Sequence, residues 1–280
     1  MIRIVAFLFL LLTDFVHAQV SGVVVDAETK LPIPFVNVWE EFGDFGTTTT
    51  ELGTFELPTV KNGENVILSA VGYETEKLEI KHNDTVFLAI KPLELSEVKV
   101  GKGKGCELKL GKLKGRKVSF LQYSKDGKNG SPMIMARYFP NTCNKPIFLK
   151  KVKIKPSASE NATFNLRFYS VDEDGSPKDF LYDKNIIISV GSLALNKTIN
   201  LEKLRIPVPG DGIFVAIEWL IIDENKRSPK SKYNSTSFTF WEPGITAFEN
   251  PDNTESWSNS GGHWSRQRNY SLAMEVEFGD

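Results

Sequence analysis

Apolar and polar residues alternate with a period of two along most of this chain, and no segment after the first eighteen residues sustains the recurrence of an amphipathic helix. Between Val20 and Ile80, short apolar runs are separated by turn-forming residues. Val23-Val24-Val25 and Phe35-Val36-Asn37-Val38 flank a segment that carries Asp26, Thr29, Lys30, Pro32 and Pro34, which predicts two strands and a turn. Gly53, between polar Glu51 and aromatic Phe55, predicts a tight hairpin requiring positive φ, and Asn62-Gly63 predicts another. Val66 to Ala70 is apolar enough to be an interior strand, Gly72-Tyr73 bends the chain, residues 76–80 alternate again, and 85–90 form a last strand. Short strands at this spacing predict a β-sandwich.

From Val118 the pattern is again strand-rich. Strands are expected over 118–123, 133–138, 148–155, 162–171, 186–190, 197–201, 212–222, 237–241 and 270–278. Asp-Gly, Gly-Ser-Pro, Pro-Gly-Asp-Gly and Glu-Pro-Gly turns lie between them. A second, larger sandwich of jelly-roll type fits this spacing. Its junction with the first is Gly101 to Lys117, with seven basic residues against Glu107; it reads as a solvated linker, with contact to anionic lipid or acidic glycan as the functional alternative.

The ordered elements SGVVVD, PIPFVNV, Gly46 to Thr49, Gly53 to Phe55 and Ser69 to Tyr73 resemble the carboxypeptidase D regulatory-like domain, a transthyretin-like β-sandwich. The fold expectation is therefore all-β: an N-terminal transthyretin-like β-sandwich followed by a larger jelly-roll-like β-sandwich. The resemblance implies an accessory unit, which occurs on metallocarboxypeptidases, on outer-membrane transporters and on secreted proteins of Bacteroidota. It transfers no activity, because function resides in sites and not in folds. Leu93 to Val100 resembles the segment that follows this domain in TonB-dependent transporters, but the residues after it are too few for such a barrel.

The first eighteen residues read as targeting. Arg3 supplies a positive start, Ile4 to Leu12 an apolar run, and Val16-His17-Ala18 a small-residue cleavage pattern before Gln19, as in a secretory signal peptide. No later run approaches the ~20 apolar residues of a membrane helix. The expected organisation is residues 1–18 as signal peptide, 19–92 as the regulatory-like sandwich, 93–117 as the basic Gly/Lys linker and 118–280 as the second sandwich. A formal net charge of −1 gives no general case for nucleic acid. Cys106 and Cys143 are compatible either with a disulfide, as in an exported protein, or with two thiols.

Candidate chemistry is sparse. After the export segment only His82 and His263 remain, in different units and without an H-x-x-E, so no zinc carboxypeptidase site and no cofactor is expected. There is no G-x-S-x-G elbow, and no set of residues assembles into a catalytic site. Glu218 is unusual, since both faces of Ile213 to Ile222 are otherwise apolar. A carboxylate in a core must be paired, and Arg167 is the expected partner, with Arg137 the second choice. Trp241, Trp257, His263 and Trp264 lie in a tract rich in Asn, Ser and Gly and are the candidate binding residues, as platforms for sugar rings; core packing is the alternative for each indole. The reading is an exported, non-catalytic envelope protein with a glycan or an envelope protein as partner. Its alternatives are a secreted hydrolase with a carboxylate pair in the second sandwich and a structural accessory subunit.

Overall fold

A computed structural model describes residues 20–92, 105–114, 117–124, 126, 128–143, 145–192, 196–229, 238–250 and 255–280. The expected signal peptide, 1–18, and the first part of the expected linker, 93–104, lie outside the described residues. Among those described there is no α-helix, and no helix long and apolar enough to cross a membrane.

The first unit is a sandwich of two sheets. One places Thr54–Leu57, Val20–Asp26 and Asp84–Leu88 side by side; the other runs Gly46–Thr48, Asn37–Glu40, Asn65–Ser69, Glu76–Glu79. Strand alternation assigns the faces. Val38, Val66 and Leu68 turn inward to meet Val24, Phe55, Leu57 and Val86, which leaves Asn37 and Trp39 on the outer face. Gly53 has φ +70°, and a Cβ there would fall 2.6 Å from the Val24 carbonyl oxygen, so both the turn and the close approach need glycine. Tyr73 and Asp26, from two of the elements that carry the family resemblance, close one corner. Asp26 accepts from the Tyr73 hydroxyl at 3.0 Å and from the Glu28 and Thr29 amides at 2.9 and 2.7 Å. Burial, and then this bond to Asp26, pushes the Tyr73 hydroxyl up to about 12, so it remains a donor at neutral pH.

The second unit is a jelly-roll-like sandwich in which every described strand pairing is antiparallel. Its largest sheet runs Pro177–Phe180, Ala162–Val171, Ile213–Trp219, Met133–Phe139, Ser256–Ser260, His263–Arg266. Facing it is the sheet Lys197–Asn200, Ile147–Ile154, Met274–Gly279, Leu108–Lys112, and a third is built around Phe240–Glu249. Alternate residues of Ile213–Trp219 and of Ala162–Val171 enter the core, where they meet Leu149, Val152, Ile154, Val276 and Phe278.

Three expectations are corrected. The linker 93–117 contains a strand: Leu108–Lys112 pairs with Met274–Gly279, Leu108 and Leu110 pack on the core, and Lys109 Nζ lies 3.4 Å from Glu277. A short Leu-Lys-Leu alternation among glycines and lysines is what an edge strand requires, since lysine there keeps other chains from adding to the sheet. The Glu-Pro-Gly segment at Glu242 to Gly244 is not a turn, because Phe240–Glu249 continues through it. Its pairing with Lys117–Tyr123 skips from Trp241 to Ile245, so Pro243 occupies a bulge where no N–H is needed. Finally, residues 256–266, where no strand was expected, fold as the hairpin Ser256–Ser260 and His263–Arg266, turned by Gly261 and Gly262 at φ 64° and 82°.

Cys106 and Cys143 are joined, with Cα atoms 6.1 Å apart, which ties the start of the Leu108–Lys112 edge strand to the loop after Met133–Phe139. The bridge closes a separation of 37 residues. Reduction is expected to lower stability by about 2–4 kcal/mol by releasing that loop in the unfolded chain. Urea midpoints with and without reductant measure this, and the Cys143→Ser variant should show no further response to reductant.

Candidate functional site

The register of Ile213–Trp219 places Glu218 opposite Asn165 on one side and Ile134 on the other, with Arg167 opposite Ala216. Arg167 and Glu218 are therefore diagonal neighbours on the face turned away from the core. The guanidinium donates from Nε and Nη2 to Glu218 Oε2 at 2.7 and 2.6 Å, and Asn165 Nδ2 donates to the same oxygen at 3.1 Å. The second carboxylate oxygen accepts from Asn37 Nδ2, which belongs to the first unit. Burial pulls the Arg167 pKa down, but attraction to Glu218 outweighs it and leaves the group above its ordinary value. Arg137 takes no part. It sits opposite Val215, faces the core side of the sheet, and donates to the Leu272 carbonyl at 2.8 Å and to Glu255 at 3.2 Å.

Other bonds extend this seam between the units. Thr48 Oγ1 donates to Asn37 Oδ1 at 3.3 Å and accepts from the Ile221 amide at 3.0 Å. Trp39 Nε1 donates to the Pro132 carbonyl at 3.1 Å, the Gly46 amide to the Gly130 carbonyl at 2.9 Å, and Asn185 Nδ2 to the Pro34 carbonyl at 3.3 Å. Glu218 is 0% exposed and Arg167 3%, so the charges at its centre are dry and every bond to them counts.

Of the aromatic candidates, two have little open surface to offer a sugar ring. Trp241 and Trp257 are only 3% and 8% exposed. Trp257 pairs beside Ala136 and has the Arg266 guanidinium 4.8 Å from its ring, and Trp264 meets Tyr169 edge-on at 5.2 Å. His263 is exposed, at the end of its hairpin. Because the tract is strand and not loop, alternation turns its indoles onto the sheet face, where neighbours cover them.

Beside the seam, a solvent-open cleft of about 750 Å³ lies between the units. Its first-unit wall presents Ser21, Thr47, Thr50, Thr54, Glu56 and Thr59, with Asp84 nearby. In Thr54–Leu57, alternation sends Phe55 and Leu57 to the core and Thr54 and Glu56 outward. The second-unit wall presents Lys128, Asn129, Asp223 and Lys226, backed by the edge of buried Trp241. Of these residues, Thr47 and Thr54 fall in elements that carry the family resemblance, which marked fold and not a binding site. Among the described residues no group of three or more His, Cys, Asp and Glu side chains is placed to hold a metal ion.

Asp126 holds the cleft loop that carries Lys128 and Asn129. It accepts from the amides of both residues at 2.8 Å, from Ser124 Oγ at 2.8 Å and from Asn129 Nδ2 at 2.7 Å. Partial desolvation pushes its carboxyl up, but these bonds prevail and hold the pKa at about 2. A depressed carboxylate stabilises the folded loop above its ordinary value of 3.8, and that contribution is lost as pH falls through about 2. The amide shifts of Lys128 and Asn129 are accordingly expected to titrate near pH 2; a midpoint near 4 would mean the loop is not held this way.

Comparison with known proteins adds the following. A model of the CarboxypepD_reg-like domain matches residues 20–100. No curated protein matches the chain significantly. Among solved structures, it is similar to the cysteine protease and lectin-like domains of Cwp84, a surface layer associated protein of Clostridium difficile, at 10% identity and TM-score 0.36, covering 84% of this chain and 45% of that one. It is also similar to the infectious bursal disease virus VP2 subviral particle, at 9% identity and TM-score 0.25, covering 81% and 52%. The chain thus spans about half the length of these two structures. On the family match and the observed first sandwich, residues 20–100 are a CarboxypepD_reg-like domain, and this chain is a protein that carries one.

Proposed function

We propose that the chain is an exported, non-catalytic binding or accessory module of the cell envelope, and that its ligand, a glycan in this reading, is held in the cleft between the two units. The observation that carries it is the cleft itself. Its walls come from both units, and the buried Asn37–Glu218–Arg167 seam keeps them in register, so the site is preformed. A regulatory-like domain is compatible with an accessory role. The signal-like residues 1–18 and the Cys106–Cys143 bridge support export, since structural disulfides persist in oxidising compartments.

The test is photocrosslinking in intact producing cells with a benzophenone side chain at position 54, beside the same probe at exposed Lys114 on the second unit. Adducts from 54 alone support the cleft; equal labelling from both positions, or none, counts against it. Glu56, Asp84 and Asp223 in one cleft favour a single second reading, a hydrolase using a carboxylate pair. Release of reducing ends from a retained glycan would establish that instead.

A further inference from the structure

The lining of the cleft restricts what it holds. We infer that its ligand is a neutral polysaccharide chain bound through its hydroxyl groups, an inference that rests on the reading of the cleft as the ligand site. Hydroxyls dominate the first-unit wall: Thr47, Thr50, Thr54 and Thr59, with Ser21 beside them. A hydroxyl both donates and accepts, so such a wall complements a ligand whose own groups do both; sugar hydroxyls qualify, whereas ionised phosphates and carboxylates only accept. Thr50 and Thr54 share a 2.7 Å bond, which consumes one hydroxyl hydrogen and leaves the other free to turn toward a ligand.

Charge sets this ligand apart from a polyanion. Three carboxylates, Glu56, Asp84 and Asp223, border the cleft against the ammonium groups of Lys128 and Lys226, a balance that disfavours a polyanion. An extended peptide needs apolar pockets for alternate side chains. Here Phe55, Leu57, Ile221 and Trp241 are buried within the walls, and the apolar surface open to the cleft comes from Val23, Phe45, Pro58 and Ile222. Trp241 presents no open face, so its indole is no stacking platform, and the sugar is held chiefly through its hydroxyl edges. An open cleft of about 750 Å³ suits a chain that passes through it.

The test is affinity electrophoresis of the full chain in gels containing a neutral glucan, a neutral mannan or polygalacturonate. Two outward-facing substitutions on Thr54–Leu57 serve as variants: Thr54→Arg obstructs the cleft, and Glu56→Lys makes its wall more basic. Both positions are exposed, and unchanged circular dichroism and melting will verify the fold. The expected result is retardation by a neutral polysaccharide, at least tenfold weaker binding in Thr54→Arg, and retardation by polygalacturonate in Glu56→Lys at most. Retardation of the unaltered chain by polygalacturonate alone would overturn the ligand class. Retardation indifferent to Thr54→Arg would overturn both this inference and the cleft reading. No retardation in any gel, together with a protein adduct from position 54, would overturn the saccharide and leave the cleft reading standing; no retardation and no adduct would overturn both.

Discussion

Replacing Glu218 by alanine is expected to destabilise the folded chain by about 3–5 kcal/mol, because it leaves the Arg167 guanidinium buried without its counter-charge. The loss extends to both units, since Asn37 and Asn165 each lose an acceptor in the same substitution. Chemical denaturation of Glu218→Ala beside the unaltered chain gives the number. Removing both charges together, as Arg167→Met with Glu218→Leu, should recover part of the loss, because a paired charge in a dry interior is worth little against apolar packing. The recovery will be incomplete: the two asparagine amides remain, at about 1–3 kcal/mol for each buried group left unsatisfied. A Glu218→Ala variant of near-native stability would mean that water reaches the pair.

Trp39→Ala should cost a similar amount, about 3–5 kcal/mol, with a different signature. Trp39 is 2% exposed yet faces away from the core of its own sandwich, and its indole N–H bonds the Pro132 carbonyl of the second unit. Its removal takes volume from between the units and not from within either. Calorimetry should therefore resolve one endotherm into two. Trp219→Ala is the control: that side chain is 0% exposed inside the second core, so its loss should lower the transition of that unit without first separating the pair. A single, uniformly shifted endotherm for Trp39→Ala would sink the idea that this indole couples the units.

How far the chain was readable follows from what each feature depends on. Ala162–Val171, with its period of two, and Ile213–Trp219, a run apolar on both faces and bounded by turn residues, were legible because each pattern is a local property of sequence. The Arg167–Glu218 neighbourhood was legible for a related reason, since a carboxylate on an otherwise apolar strand demands a partner. Asn37 was not legible. A polar residue on the outer face of a first-unit strand looks solvated until the second unit covers it. The cover over Trp257 was hidden in the same way, because its neighbours Ala136 and Arg266 come from other strands. The cleft could not be read at all, since its walls meet only through contacts far apart in sequence, such as the separation of 173 between Thr48 and Ile221.

The place of Met274–Gly279 bears on how the molecule is made. This strand lies between Ile147–Ile154 and Leu108–Lys112, so the sheet facing the large one is joined through a strand synthesised after both of its partners. The first sandwich, which uses nothing beyond Leu88 for its two sheets, can assemble while later residues are still emerging. The second must wait, with Val152 and Leu149 lacking Met274, Val276 and Phe278, until those residues have emerged. A ribosome paused anywhere before residue 274 would thus present a finished sandwich followed by an adhesive, unfinished one, which is the kind of species that chaperones retain.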